Sequence, residues 1–349
     1  MSKGRDAVEE ERFAQLIASV ERAYGILVTD RAVIKPGGRG SLVARLVADN
    51  GRAYAVKCLY EEPERQRFIA ESERLLAERG VPLARPVPAE DGGLCLMHDG
   101  APHVLYEWVD GPAAPLMEEE HLMDIVLLAA RLHAGSRDLA YPKDVRRYAH
   151  LDWREEYRQR IRSMESWLEK HGGASGKKAE IAAAVPFFVK EGERALEELE
   201  NSRYGDYRAG GLDPPTLVHG DLHHNNVLCS AEGKTLIDFE DVRYDAPSKD
   251  LLRILSMYTK RKPFDGETLL RILRLYRRTH PLSRELRRII RIDLWFPHIF
   301  ERMLRKKVYK RLDERGVRFI VEQERRKAEF VRERYFRRAG TAVRKGGTA

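Results

Sequence analysis

Cysteine is scarce in this chain. Only Cys58, Cys95 and Cys229 occur among 349 residues, and none belongs to a CxxC pair. That excludes a disulfide scaffold and a cysteine-rich zinc site, and it fits a reducing compartment. Long apolar runs are also missing. The longest, at 125–130 and at 181–189 with Pro186 inside it, fall far short of the roughly 18 residues a membrane span needs. The opening MSKGRDAVEEERF has no apolar segment of the kind a secretory leader carries, so a cytoplasmic chain without a transmembrane segment is expected. Internal repeats and low-complexity blocks are absent as well.

What is abundant is charge. Charged residues make up 34% of the chain and the net charge is +8, but the excess is local. Residues 301–349 hold 17 Lys+Arg against 7 Asp+Glu, a net of +10, which leaves the preceding 300 residues at −2. A nucleic-acid partner is therefore not expected of the body of the protein. With 43% hydrophobic and 8% aromatic residues, the chain can still bury a sizeable core.

Residues 6–24 read as a charged helix. Ile26-Leu27-Val28, Ser41 to Ala48 and Ala53 to Tyr60 read as short strands, the last two joined by the hairpin signal Asn50-Gly51. Pro63 to Arg79 reads as a helix, with proline in the first turn and Gly80 past the end. Two more strands, Leu94 to Met97 and His103 to Val109, precede the break Asp110-Gly111-Pro112. Beyond it the pattern is helical at 118–134, 153–170, 179–200 and from Ser248 onward. One strand–loop–strand stretch, Leu217 to Phe239, interrupts it. A β-rich half with one helix is thus followed by a larger helical half.

The chemistry concentrates in that interruption. It reads His219-Gly220-Asp221-Leu222-His223-His224-Asn225-Asn226-Val227-Leu228, then Leu236-Ile237-Asp238-Phe239. Phosphoryl transfer needs a carboxylate beside the acceptor hydroxyl and hard oxygen ligands that hold Mg2+ on the phosphates. Asp221 can serve as the first, and Asn226 and Asp238 can supply the second. Three histidines invite a zinc reading, but no further residue completes a ligand set.

HGDLHHNNVL followed by IDF resembles the catalytic and metal-binding loops of the aminoglycoside phosphotransferase and choline kinase superfamily, relatives of the protein kinases. The resemblance implies an α+β, bilobal protein-kinase-like fold with ATP and Mg2+ as cofactors. The small antiparallel-sheet N-lobe would carry one helix, and the larger C-lobe would be mainly helical. It implies that Asp221 is the catalytic base and that Asn226 and Asp238 are metal ligands. Ala55-Val56-Lys57 is similar to the Ala-x-Lys strand, so Lys57 would hold the phosphates and Ala55 would roof the adenine. Glu71 is favoured as the helix partner of Lys57, because leucines follow it at the family's spacing, and Glu73 is read as a solvated charge. Gly38 and Gly40 would lie in the phosphate-covering loop. Backbone groups of Glu107 and Val109 would read the adenine edge, and Trp108 is read as core packing. Asp238-Phe239-Glu240 carries glutamate where the protein-kinase motif has glycine.

A narrower resemblance is to the CotS-type spore-coat kinase-like branch. It rests on Ala129 to Ser136, on Pro281-Leu282-Ser283 and on Phe296-Pro297. This branch implies a spore-coat location in a spore-forming source, and a structural scaffold that keeps the fold is the rival to an enzyme. The implied acceptor is a hydroxyl on a small molecule. A cation pocket at Asp152, Trp153, Glu155, Glu156 and Tyr157 is the alternative to an ordinary amphipathic helix, and the helix is favoured. The expected organisation is an N-terminal helical extension at 1–24, an N-lobe at 25–110, a C-lobe at 111–312 and a basic helical tail at 313–349. The tail is a candidate contact for an anionic surface or an acidic partner.

Overall fold

The computed structural model describes residues 2–35, 42–58, 62–115, 119–139, 152–214, 216–260 and 262–336. The chain divides into two compact units, Met1–Ala149 with Pro215–Asp245, and His150–Pro214 with Ala246–Ala349. The segment 215–245, which carries the motif residues Asp221 to Asp238, thus groups with the sheet, whereas the sequence boundaries place it among the helices of 111–312.

The first unit begins with α1 (Ser2–Tyr24) and three strands, β1 (Val28–Lys35), β2 (Leu42–Ala48) and β3 (Ala53–Cys58). Helix α2 (Pro63–Glu78), strands β4 (Leu96–His98) and β5 (Ala101–Glu107) and helix α3 (Glu119–Gly135) follow. The sheet is antiparallel in the order β1-β2-β3-β5-β4. Val43 faces Lys57 and Lys57 faces Val104, so the lysine sits mid-sheet. Strands β2 and β3 alternate buried and half-exposed positions, the period of a sheet with one dry face. That face packs Leu46, Tyr54, Val56 and Leu105 against Leu16, Ile17 and Val20 of α1. Each fully buried aliphatic side chain contributes about 1.5–3 kcal/mol.

The sequence reading placed the first strand at 26–28, but it runs from Val28 to Lys35 and Leu27 is exposed. β1 is an edge strand, exposed along nearly its whole length, and so it carries no apolar alternation to read.

The unit closes with β6 (Leu217–Val218), β7 (Val227–Ser230), β8 (Gly233–Leu236) and β9 (Arg243–Tyr244). β7 and β8 form a hairpin, and β6 pairs with β9. The hairpin is stitched to the chain after α2, with Leu236 N–H donating to Pro82 O and Ala84 N–H to Leu236 O, both at 2.9 Å. On its other side Cys229 N–H donates to Pro112 O (2.9 Å) and Ala114 N–H to Val227 O (2.8 Å). Gly111 (φ 149°) is needed at this crossing, because a Cβ there would overlap the Cys229 carbonyl. Ser136, at the end of the 129–136 segment, accepts the Leu217 N–H at 3.0 Å and so anchors β6.

The second unit is helical: α4 (Trp153–His171), α5 (Lys177–Glu200), α6 (Tyr204–Arg208), α7 (Ser248–Thr259), α8 (Gly266–Thr279), α9 (Arg284–Trp295), α10 (His298–Arg305) and α11 (Glu314–Tyr335). Tyr157 stacks on Phe296 at 3.9 Å and Phe188 on Phe300 at 4.0 Å, and all four rings are buried. The stretch read as a basic tail is a packed element over 314–335, where α11 buries Val317, Ala328 and Val331 against α5 and α9. Its Lys327 is buried too, donating to Glu324 (3.0 Å) and to the Phe296 carbonyl (3.1 Å).

Candidate active site

Two loops of the first unit meet at the open end of the β7–β8 hairpin. Val227 pairs with Leu236, and one step outward Ile237 N–H donates to Asn226 O at 3.0 Å. That register puts Asn226 directly across from the residue before Asp238. Asp238 itself has φ 69°, a left-handed conformation that costs a non-glycine residue about 1 kcal/mol or more and is concentrated at functional sites. His219 fixes the same segment. It is fully buried, its Nε2 lies 2.9 Å from Ile237 O, and its ring packs on Phe239 at 4.6 Å. Gly220 (φ 86°) follows, and a Cβ there would overlap the Asp241 carbonyl. From the first turn of α2, Arg65 donates to Glu240 O (2.6 Å) and Val242 O (2.8 Å), clamping the backbone beyond Asp238.

Asp221 stands in the loop between β6 and the hairpin, with its side chain 40% exposed. Its backbone carbonyl accepts from Asn226 Nδ2 at 3.1 Å. With its amide nitrogen so engaged, Asn226 keeps its side-chain oxygen as an acceptor. His223 Nδ1 accepts the Asn225 N–H at 3.2 Å, so the neutral ring carries its proton on Nε2, 3.4 Å from the Asp221 carboxylate.

Lys57 of β3 pairs with Asp238 and, at 2.9 Å, with Glu240. Burial pulls the lysine pKa down, but the two carboxylates outweigh it and hold the pKa above its usual value. Burial likewise works to raise the Asp238 pKa, and the Lys57 charge overcomes it and lowers the value.

These groups border a cavity of about 530 Å3. Val43, Ala55, Leu228 and Ile237 supply apolar wall, Glu107, Trp108 and Val109 contribute from the segment after β5, and Lys57, Asp238 and Glu240 supply charge. Gly38 and Gly40, assigned to the phosphate-covering loop, lie outside the described residues.

The partner assigned to Lys57 needs correction. Glu71 is engaged by Arg74, 3.0 Å from its Nε, and does not line the cavity. Glu73 does line it, and far from being solvated it is 3% exposed. Its carboxyl accepts the Tyr106 hydroxyl at 2.8 Å. Burial pushes the Glu73 pKa up to about 8, against the pull of Tyr106 and Lys57. The sequence reading gave Tyr106 and Glu240 no role in the site, yet both line the cavity. The visible signal for Glu240 was its place directly after the Asp238-Phe239 pair.

The donor chemistry suits a hard divalent cation, with the Asn226 side-chain oxygen and the Asp238 carboxylate as available oxygens. Among the described residues no group of three or more His, Cys, Asp or Glu is placed to hold a metal.

The chain is similar to spore coat protein S of Bacillus subtilis (strain 168), at 24% identity over 84% of each chain. It is 30% identical over 168 residues to a homoserine kinase of Burkholderia ambifaria (strain MC40-6), covering 47% of this chain and 43% of that one. Among solved structures it resembles an aminoglycoside phosphotransferase of Alicyclobacillus acidocaldarius, with a TM-score of 0.70 at 19% identity over 91% of this chain and 93% of the other. It also resembles an amicoumacin kinase in complex with AMP-PNP and Ca2+, with a TM-score of 0.58 at 16% identity over 94% and 96% of the two chains. These likenesses establish the fold as the α+β protein-kinase-like one. Residues 33–288, most of the chain, match the family model, and the chain belongs to the phosphotransferase enzyme family.

Proposed function

We propose that this protein transfers the γ-phosphoryl group of ATP to a hydroxyl of a small molecule, with Mg2+ on the phosphates. The observation that carries this reading is the convergence of Lys57, Asp238 and Glu240 on a cavity to which Val43, Ala55, Ala84, Leu228 and Ile237 give apolar wall. Adenine needs the apolar slot and the backbone of Glu107 and Val109, and the phosphates need the cationic end. Ala55 forms part of the slot, and Lys57 is the phosphate ligand. Mg2+ held by Asn226 and Asp238 would neutralise charge on the transferring group. Asp221 accepts the proton of the acceptor hydroxyl, with His223 holding its carboxylate in place. Glu73 stands in the wall as the nearby carboxyl that answers to the charge on Lys57.

The acceptor is not selected by a cation pocket at 152–157. Asp152 is taken by Arg154, Glu156 by Arg160, and Trp153 and Tyr157 are buried. A second reading, a spore-coat scaffold that retains the fold, is favoured by the similarity to spore coat protein S along 84% of both chains. A scaffold has no chemical need for Lys57, Asp221, Asn226 and Asp238 together.

The test is transfer of label from γ-labelled ATP to aminoglycosides, choline, homoserine and sugars. The expected result is labelling of one acceptor class, lost in Asp221→Asn. Intact ATP with every acceptor would favour the scaffold.

A further inference from the structure

The helical unit holds a second cavity that shares no residue with the nucleotide cavity. It measures about 90 Å3, space for roughly three waters. Arg274 and Arg277 of α8, Arg287 and Arg291 of α9 and Tyr335 of α11 line it, over a floor that includes Leu273 and Ile290. Through Arg291 and Tyr335 it continues into a wider recess of about 380 Å3 that adds Arg203, Arg284 and Arg288.

Some of this charge is matched. Glu267 lies 4.0 Å from Arg274, Asp206 pairs with Arg203 and Glu198 with Arg288, and Glu285 lines the recess. At the centre it is not. Among the described residues, no carboxylate lies within ion-pair distance of Arg277, Arg287 or Arg291. Their other contacts hold them without neutralising them. Arg287 donates to Leu282 O at 2.8 Å, and the Arg291 guanidinium lies over the Tyr335 ring at 4.2 Å. Burial lowers the Arg291 pKa, Tyr335 opposes this, and the like charges of Arg287 and Arg277 lower it further.

Like charges gathered over an apolar floor repel, and the repulsion is relieved when an anion enters. Guanidinium forks match the oxygens of a tetrahedral phosphoryl group in paired hydrogen bonds, which ammonium groups cannot imitate. The small volume suits one such group rather than an extended chain. We propose that Arg277, Arg287 and Arg291 form a binding site for a phosphoryl anion in the helical unit. The anion is either free phosphate or the phosphate of a larger molecule such as a lipid headgroup.

The experiment is calorimetric titration of the full chain with inorganic phosphate, and cosedimentation with phosphatidic acid vesicles against phosphatidylcholine vesicles. The paired variant Arg277→Gln/Arg291→Gln is expected to weaken phosphate binding about tenfold or more, the loss that accompanies removal of charge-assisted hydrogen bonds. Arg287→Lys, which keeps the charge but loses the fork, is expected to weaken it as well, and Arg326→Ala, exposed on α11 and outside both recesses, to leave it unchanged. Unaltered melting temperatures would show that the variants fold. Phosphate binding together with vesicle binding, both lost in the paired variant, supports the site and makes a headgroup its source. Phosphate binding alone supports it with free phosphate as the source. No saturable heat up to about 10 mM phosphate, equal binding by the paired variant, or binding retained in full by Arg287→Lys overturns the proposal.

Discussion

Glu73 gives the site a pH signature that belongs to a single residue. A glutamate ordinarily ionises at 4.5, whereas buried Glu73 is pushed up to about 8. Between these values the folded chain holds a proton that the unfolded chain has lost, so stability falls as pH rises through that window. Below it the group costs nothing, and above it the full cost of ionising a buried carboxyl is present. Glu73→Gln keeps an acceptor for the Tyr106 hydroxyl and removes the ionisation. Urea midpoints measured from about pH 5 to about pH 8 are expected to decline less in the variant than in the parent, and parallel profiles would refute the assignment. Asp221 makes a different prediction. Asp221→Asn should cut phosphoryl transfer by about 100-fold or more while Mg-ATP binding is retained, since the carboxylate moves a proton and holds no nucleotide. Gly220→Ala should destabilise the first unit by about 2 kcal/mol or more, measured by denaturant melts, because the left-handed backbone and the Asp241 carbonyl leave no room for a Cβ.

At the scale of elements, α11 is the place where composition misleads. Its arginines and lysines dominate the sequence pattern, while Val317, Ala328 and Val331 do the packing. Lys327 lies inside with Glu324, so Lys327→Ala leaves a buried carboxylate without its cation. A loss of about 3–5 kcal/mol is expected from denaturant melts, against about 1 kcal/mol or less for an exposed Arg326→Ala on the same helix. Equal effects would mean that α11 is a solvated appendage. The helix α2 shows a second limit of sequence reading. Glu71 and Glu73 flank one apolar face and helical spacing does not separate them. The decision comes from the neighbours, Arg74 three residues on and Tyr106 from β5, and only the second contact is long-range. The sequence brings Asp221, Asn226 and Asp238 together because their spacing reflects one local object, a loop and a two-stranded hairpin. The edge strand β1 was misplaced because an exposed strand carries no burial pattern. The glycines at 38 and 40 remain a proposal from sequence.

For the molecule as a whole, the family assignment rests on the match over residues 33–288, and the fold on solved structures that share less than a fifth of its sequence. The first compact unit gathers the sheet, α2 and the segment 215–245, so every charged group proposed for nucleotide and metal lies within it. Lys57 and Asp238 stand paired although they come from two segments distant in sequence. We read the cavity that both residues border as a working nucleotide site. Its most direct test is calorimetric titration of Mg-ATP into the parent protein and into Asp238→Ala. Saturable binding that requires Mg2+ and disappears in the variant is the predicted result. Absence of binding in the parent, or binding that ignores both the metal and the substitution, would contradict it.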